Sequence, residues 1–218
     1  MKAGRPEPPP SAWRRMPWTR APFASLDFEA TGLDFDRDTI ISFGVVPIDE
    51  GRIDVGGAAY QLVDPADIPL DHQAITIHGL RPVDLRGAPS IEAARAALCD
   101  ALHRRFLITW FAGVEAAFLD KLFGGGRKAW MHRAIDVRRM VAALEESGAG
   151  LTLEACADRY GVPVASPHHA LDDALVTAQL FLVVATKLAE RGVKSVKDLQ
   201  AADVVRPPEM LRPRAPMV

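Results

Sequence analysis

Asp27 and Glu29 stand two residues apart inside an apolar segment, Leu26-Asp27-Phe28-Glu29-Ala30, which ends at Thr31-Gly32. Side chains two apart on a strand share a face, so both carboxylates point one way and Phe28 the other. Two acids side by side at the end of a buried strand repel one another and lose solvation. Either the strand end reaches water and both acids are hydrated, or a proton or a cation lies between them. Hard divalent ions such as Mg²⁺ favour oxygen ligands, so the pair is a reasonable half of a metal site. A chain built around this strand needs a sheet to hold it and other elements to bring the remaining ligands.

The rest of the chain supplies both. Residues 23–28 begin the strand after Pro22. Residues 39–48 are apolar and β-branched and read as a buried strand. Asp49-Glu50-Gly51 is a turn signal, and residues 53–63 read as the next strand, weakened at Gly56-Gly57. So short a turn pairs its two strands antiparallel. A loop with Pro65, Pro69, Gly79 and Pro82 follows. Residues 91–102 have helical spacing behind Ser90, a plausible cap, and residues 106–111 form a short apolar strand. Residues 115–123, 137–144, 153–160 and 170–191 read as helices that stop at Gly124, Gly148, Gly161 and Gly192. Strands in the first half and helices in the second suggest a mixed sheet with packed helices.

Two further places carry chemistry. In His168-His169-Ala170-Leu171-Asp172-Asp173, His168 precedes the long helix and Asp173 lies near its start. Asp172 and Asp173 are adjacent and face different directions, so only one joins a shared site. Acids in a first turn are also favoured by the helix dipole, which is the structural reading of the same residues. The other place is the strand-to-helix corner Thr109-Trp110-Phe111-Ala112-Gly113-Val114-Glu115. An acid in such apolar surroundings is costly unless paired or metal-bound. The dipole reading applies to Glu115 as well.

In order and spacing these blocks resemble the DEDDh 3′–5′ exonucleases, the family of the bacterial proofreading subunit, ribonuclease T and oligoribonuclease. Its D-x-E-x-T-G strand is present as Asp27-Phe28-Glu29-Ala30-Thr31-Gly32, and its H-x4-D block as His168 and Asp173. Ile75-Thr76-Ile77-His78-Gly79 is similar to its I-H-G segment. Its middle block, H-N-x-x-F-D, is altered. Aligning Phe118-Leu119 with the family's trailing apolar pair puts Glu115 at the Asp, Trp110-Phe111 at the His-Asn and Val114 at the Phe. Asp120 competes with Glu115 for that place, and Glu115 is the preferred candidate. The resemblance covers residues 23–191.

It implies an α/β fold, a ribonuclease H-like mixed five-stranded sheet flanked by helices. It also implies a 3′–5′ exonuclease that hydrolyses single-stranded DNA or RNA from the 3′ end and releases nucleoside monophosphates. Two Mg²⁺ or Mn²⁺ ions would be held by Asp27, Glu29, Glu115 and Asp173, with Asp27 shared, and His168 would be the general base. Thr31, Gly32 and Leu33 would line the terminal nucleotide's pocket, Leu33 against the base, and His78 would lie near the penultimate nucleotide. The absent Cβ of Gly32 would let the backbone approach the sugar. The alternative is a catalytically weak nucleic-acid-binding or polymerase-associated module with the same fold, made plausible by the altered middle block.

Charge bears on which partners fit. The net charge is −2, but residues 1–20 carry +4 and residues 205–218 carry +2, leaving −8 on residues 21–204. This excludes only a wholly basic, backbone-coating binder. The two ends hold 9 of the 17 prolines and read as extended or disordered Pro/Arg-rich arms around an exonuclease domain over 21–204, the first of them flexible. Trp13 and Trp18 are candidates to dock the first arm on the body. A polymerase or another replication or repair protein is a candidate partner, and Trp130 or the terminal helices are candidates for a homodimer contact. Arg127, Lys128, Arg133, Arg138 and Arg139 form a candidate backbone track, or simply a solvated face. Cys99 and Cys156 read as buried free thiols, with a cytoplasmic location expected. Neither a membrane span nor a signal peptide is expected.

Overall fold

The computed structural model describes residues 4–145 and 151–202. Among them six strands build one mixed sheet. β1 (Phe23–Ala30) lies at its centre. β2 (Ile40–Asp49) pairs antiparallel on one side of it, and β5 (Phe106–Thr109) parallel on the other. β6 (Ala134–Asp136) pairs parallel beyond β5. β3 (Arg52–Ile53) and β4 (Ala59–Leu62) both pair with the outer edge of β2. They are one strand position, divided around Gly56-Gly57, so the five expected strands and the six observed describe the same sheet. At the hairpin, Glu50 and Gly51 have φ of 52° and 71°, and Asp49 pairs with Arg52, the backbone of a tight two-residue turn.

The sheet separates two cores. On one face Phe23, Val46, Ile48, Phe106 and Ile135 pack against α5 (Val137–Glu145), α6 (Leu153–Tyr160) and α7 (Ala170–Glu190). On the other Leu26, Phe28, Phe43, Val45 and Leu107 pack against α2 (Ile91–Ala101), α3 (Ala112–Phe123) and α4 (Arg127–Arg133). Alternation along β1 therefore holds as expected: Phe28 enters the second core, and Asp27 and Glu29 point toward α7. α8 (Val196–Ala202) closes the first core with Val196 and Leu199.

Several expectations change in detail. α1 (His72–His78) occupies part of the loop, capped by the Asp71 carboxylate on the Gln73 N–H at 2.7 Å and closed by left-handed Gly79. Residues 4–20, read as an arm, lie against the body. Two 3₁₀ turns, Ser11–Arg15 and Trp18–Arg20, bring Trp18 edge-on to Phe181 with 6.1 Å between ring centres. Glu7 pairs with Arg104 at 2.8 Å, and Arg5 lies over the Trp130 ring. Proline there limits the segment to short 3₁₀ turns and a single bridge from Pro17 to Ser195, which suffices for docking. Trp130 is fully buried, its indole N–H donating to the Gly124 carbonyl at 3.0 Å, so it offers no surface to a second copy. Arg133 is buried too, donating to the carbonyls of Arg105 and Leu102, and so leaves the candidate backbone track. Cys156 is buried and Cys99 half-buried, both as free thiols. The 205–218 tail and Gly148 lie outside the described residues. Among the described residues no helix is long and apolar enough to cross a membrane.

Candidate active site

α7 approaches the sheet where a side chain is missing. Gly44 is the strand partner of Asp27, and a Cβ on it would stand 2.3 Å from the Ala170 carbonyl oxygen. Glycine inside a strand often marks such a close approach of another backbone. The first turn of α7 can thus sit on β2 and deliver Asp173 to Asp27 and Glu29. Carboxylate oxygens of these three residues lie within 4.8 Å of one another. Asp172 turns away, 3.7 Å from the His169 ring.

A cavity of about 590 Å³ opens over this cluster. Asp27, Glu29, Glu115, His168 and Asp173 all line it, together with Trp110, Phe111, Val114 and residues 151–154. Glu115 enters from the first turn of α3 and is 5% exposed. Asp120 does not reach the cavity. Its carboxylate accepts the Gly126 N–H at 2.8 Å and holds the α3–α4 turn. His168 has φ of 59°, uncommon for a residue with a Cβ, and its backbone N–H donates to Asp173 at 3.1 Å. Its imidazole is half exposed and stands 3.9 Å from Glu154.

Burial and mutual repulsion act together on these acids. Burial first, then Glu115, Glu29 and Asp173, hold the Asp27 carboxyl well above its ordinary range. Burial pushes Glu29 up to about 8, with Asp173 adding to it. Burial likewise raises Glu115 to about 8 and Asp173 to about 6. Among the described residues, one oxygen each of Glu115 and Asp173 is buried without a hydrogen-bond partner. Orphaned carboxylate oxygens facing other carboxylates are a donor set that fits a hard divalent cation, and Mg²⁺ or Mn²⁺ takes such ligands.

The residues read as a nucleotide pocket follow directly on β1, just past Glu29. The Thr31 hydroxyl donates to the Asp38 carboxylate at 2.8 Å. A Cβ on Gly32 would meet that same carboxylate at 2.4 Å, so the missing side chain lets Asp38 close against the loop. Leu33 is 67% exposed. His78 ends α1; burial lowers its pKa, and His168 lies close enough to lower it further.

Three residues that position the site escape a reading of the sequence. Gly44 could have been found as a lone glycine in a β-branched run. Asp136 sits at the end of a strand too short to show a period. It is 1% exposed and accepts the Ala112 N–H at 3.1 Å and the Arg139 N–H at 3.0 Å, tying the starts of α3 and α5 together. Glu154 looks like an ordinary first-turn acid, and only the fold brings it to His168.

The mixed sheet with helices on both faces is a ribonuclease H-like fold, and it gathers four acids and a histidine at one cavity. A family model described as Exonuclease, of the ribonuclease T type, matches residues 25–181, most of the chain, and the chain belongs to that family. It is 28% identical over 184 residues to a DNA polymerase III PolC-type protein of Thermotoga petrophila, covering 83% of this chain and 13% of that one. The chain thus spans about an eighth of that relative's length. The fold is similar to E. coli exonuclease I in complex with a dT13 oligonucleotide: TM-score 0.65, 19% identity, 79% of this chain and 43% of that one. It is also similar to S. pombe Pop2p in a Mg²⁺- and Mn²⁺-bound form: TM-score 0.62, 18% identity, 76% and 83% covered.

Proposed function

We propose that the chain is a divalent-metal-dependent 3′–5′ exonuclease on single-stranded DNA or RNA that releases nucleoside monophosphates. The observation that carries this reading is the convergence of Asp27, Glu29, Glu115, Asp173 and His168 on one cavity. Asp27, Glu29 and Asp173 would hold one ion, and Glu115 with Asp27 a second. Bound there, such ions supply the charge that stabilises attacking and departing oxygens in phosphodiester hydrolysis.

The chain's own residues have separate tasks. His168 is half exposed on the cavity wall, where it can take the proton of an attacking water, and an imidazole suits that work near neutral pH. The Asp173 carboxylate holds the His168 backbone in its left-handed turn. Leu33, exposed beyond β1, has the free apolar surface that a terminal base would pack against. Thr31 and Gly32 support it by closing the loop on Asp38, and His78 lies at the same end of the sheet. The polymerase III relative supports a polymerase as partner.

The test is release of mononucleotides from a 3′-labelled single strand with and without Mg²⁺ or Mn²⁺. Asp27→Ala and His168→Ala are expected to abolish metal-dependent release while leaving the fold intact. Wild-type rates in either purified variant would overturn the assignment.

A further inference from the structure

Phe111 is an aromatic side chain left 41% exposed on the wall of an acidic cavity. It occupies the corner between β5 and α3, one helical turn before Glu115. It is not loose there. The Arg138 guanidinium carbon lies over its ring, 4.4 Å from the centre. Asp136 fixes both partners: its two oxygens hold the amides of Ala112 and Arg139, each the residue next to one member of the stack. Around the same corner, Arg127 stands 3.2 Å from where a Gly113 Cβ would be. Arg127 itself lies over Phe35, so the corner presents one fixed aromatic ring backed by the Arg138 cation, on the wall of the cavity that holds the acids.

Flat aromatic faces flanked by arginine suit nucleobases, because every base has a π-face and every linkage a phosphate. We propose that Phe111, backed by Arg138, is a stacking platform for a base of the single strand entering the cavity. The proposal rests on the nuclease reading and deepens it by naming where the strand is held. A platform of this kind grips without reading sequence, so it predicts little base preference.

The test uses the full chain. Anisotropy of a fluorescein-labelled oligothymidylate in Ca²⁺ gives binding, and hydrolysis of the same strand in Mg²⁺ gives KM and kcat separately. Phe111→Ala is expected to weaken binding and raise KM about ten-fold, with kcat falling far less. Phe111→Leu keeps the apolar volume and loses the π-face, so it should follow Ala even if Ala folds poorly. Phe111→Trp should stay within about two-fold of wild type, and Arg138→Ala should fall between. Unchanged binding and KM in a folded Phe111→Leu protein, beside active wild type, overturns the platform and leaves the nuclease reading standing. Wild type that binds the strand through Phe111 yet hydrolyses nothing overturns the nuclease reading and leaves the platform. Wild type that neither binds nor hydrolyses overturns both.

Discussion

Gly44→Ala adds one methyl group at the point where α7 meets the sheet. Elsewhere this change tends to stabilise a chain by about 0.4–1 kcal/mol, because alanine restricts the unfolded state. Here the new Cβ would stand 2.3 Å from the Ala170 oxygen and 2.4 Å from both the Ala170 carbonyl carbon and the Leu171 Cα. Ordinary contact begins at 3.4 Å, so α7 or β2 must yield by about 1 Å. All three clashing atoms are backbone, and no rotamer relieves them. The cost belongs at the upper end of overpacking, about 3 kcal/mol, which outweighs the entropic gain. In a domain this size that lowers Tm by roughly 6–12 °C. Activity should suffer more than stability, because the shifted turn carries Asp173. A misplacement of about 1 Å can cost about 100-fold in rate. Thermal unfolding followed by circular dichroism and 3′-end hydrolysis at saturating Mg²⁺ read the two effects separately. A Gly44→Ala protein with unchanged Tm and unchanged rate refutes the close approach as the device that assembles the site.

Two more outcomes follow from the same geometry. Glu115→Gln is expected to lower Mg²⁺-dependent hydrolysis by roughly 100-fold, and Asp120→Asn to leave it nearly intact, since Asp120 only holds the Gly126 amide; steady-state rates for the pair decide, and a damaging Asp120→Asn would reassign the ligand. In EDTA, Glu29 and Glu115 titrate at about 8 and Asp173 at about 6, above their unfolded values, so between about pH 4.5 and 8 the folded state holds more protons than the unfolded one. Stability should then fall as pH rises toward 8, and Mg²⁺ should remove that fall; a metal-free Tm that is flat or rises across this range contradicts the burial of these acids.

What could be read from the sequence follows physical range. Alternation along β1 is a local property, so the shared face of Asp27 and Glu29 was legible, as were the hairpin at Glu50-Gly51 and the long helix behind His168. α1 was obscured by the prolines around it, although Asp71 and Gly79 mark its two ends. β6 has three residues and shows no period. Side chains whose role depends on distant neighbours were the ones misjudged. Trp130 and Arg133 look like surface groups in a basic stretch, yet both are buried.

The altered middle block also gains meaning from the fold. Glu115 lines the cavity from the first turn of α3, and one of its oxygens is buried without a partner among the described residues. Burial that lifts Glu29 and Glu115 to about 8 makes their charged forms unfavourable without a counter-ion. A bound divalent cation relieves what burial imposes, and the relief appears as affinity. Instability of the metal-free protein at high pH and tight metal binding there are therefore two readings of one free energy. A substitution that makes the acids comfortable without metal must also weaken their grip on it.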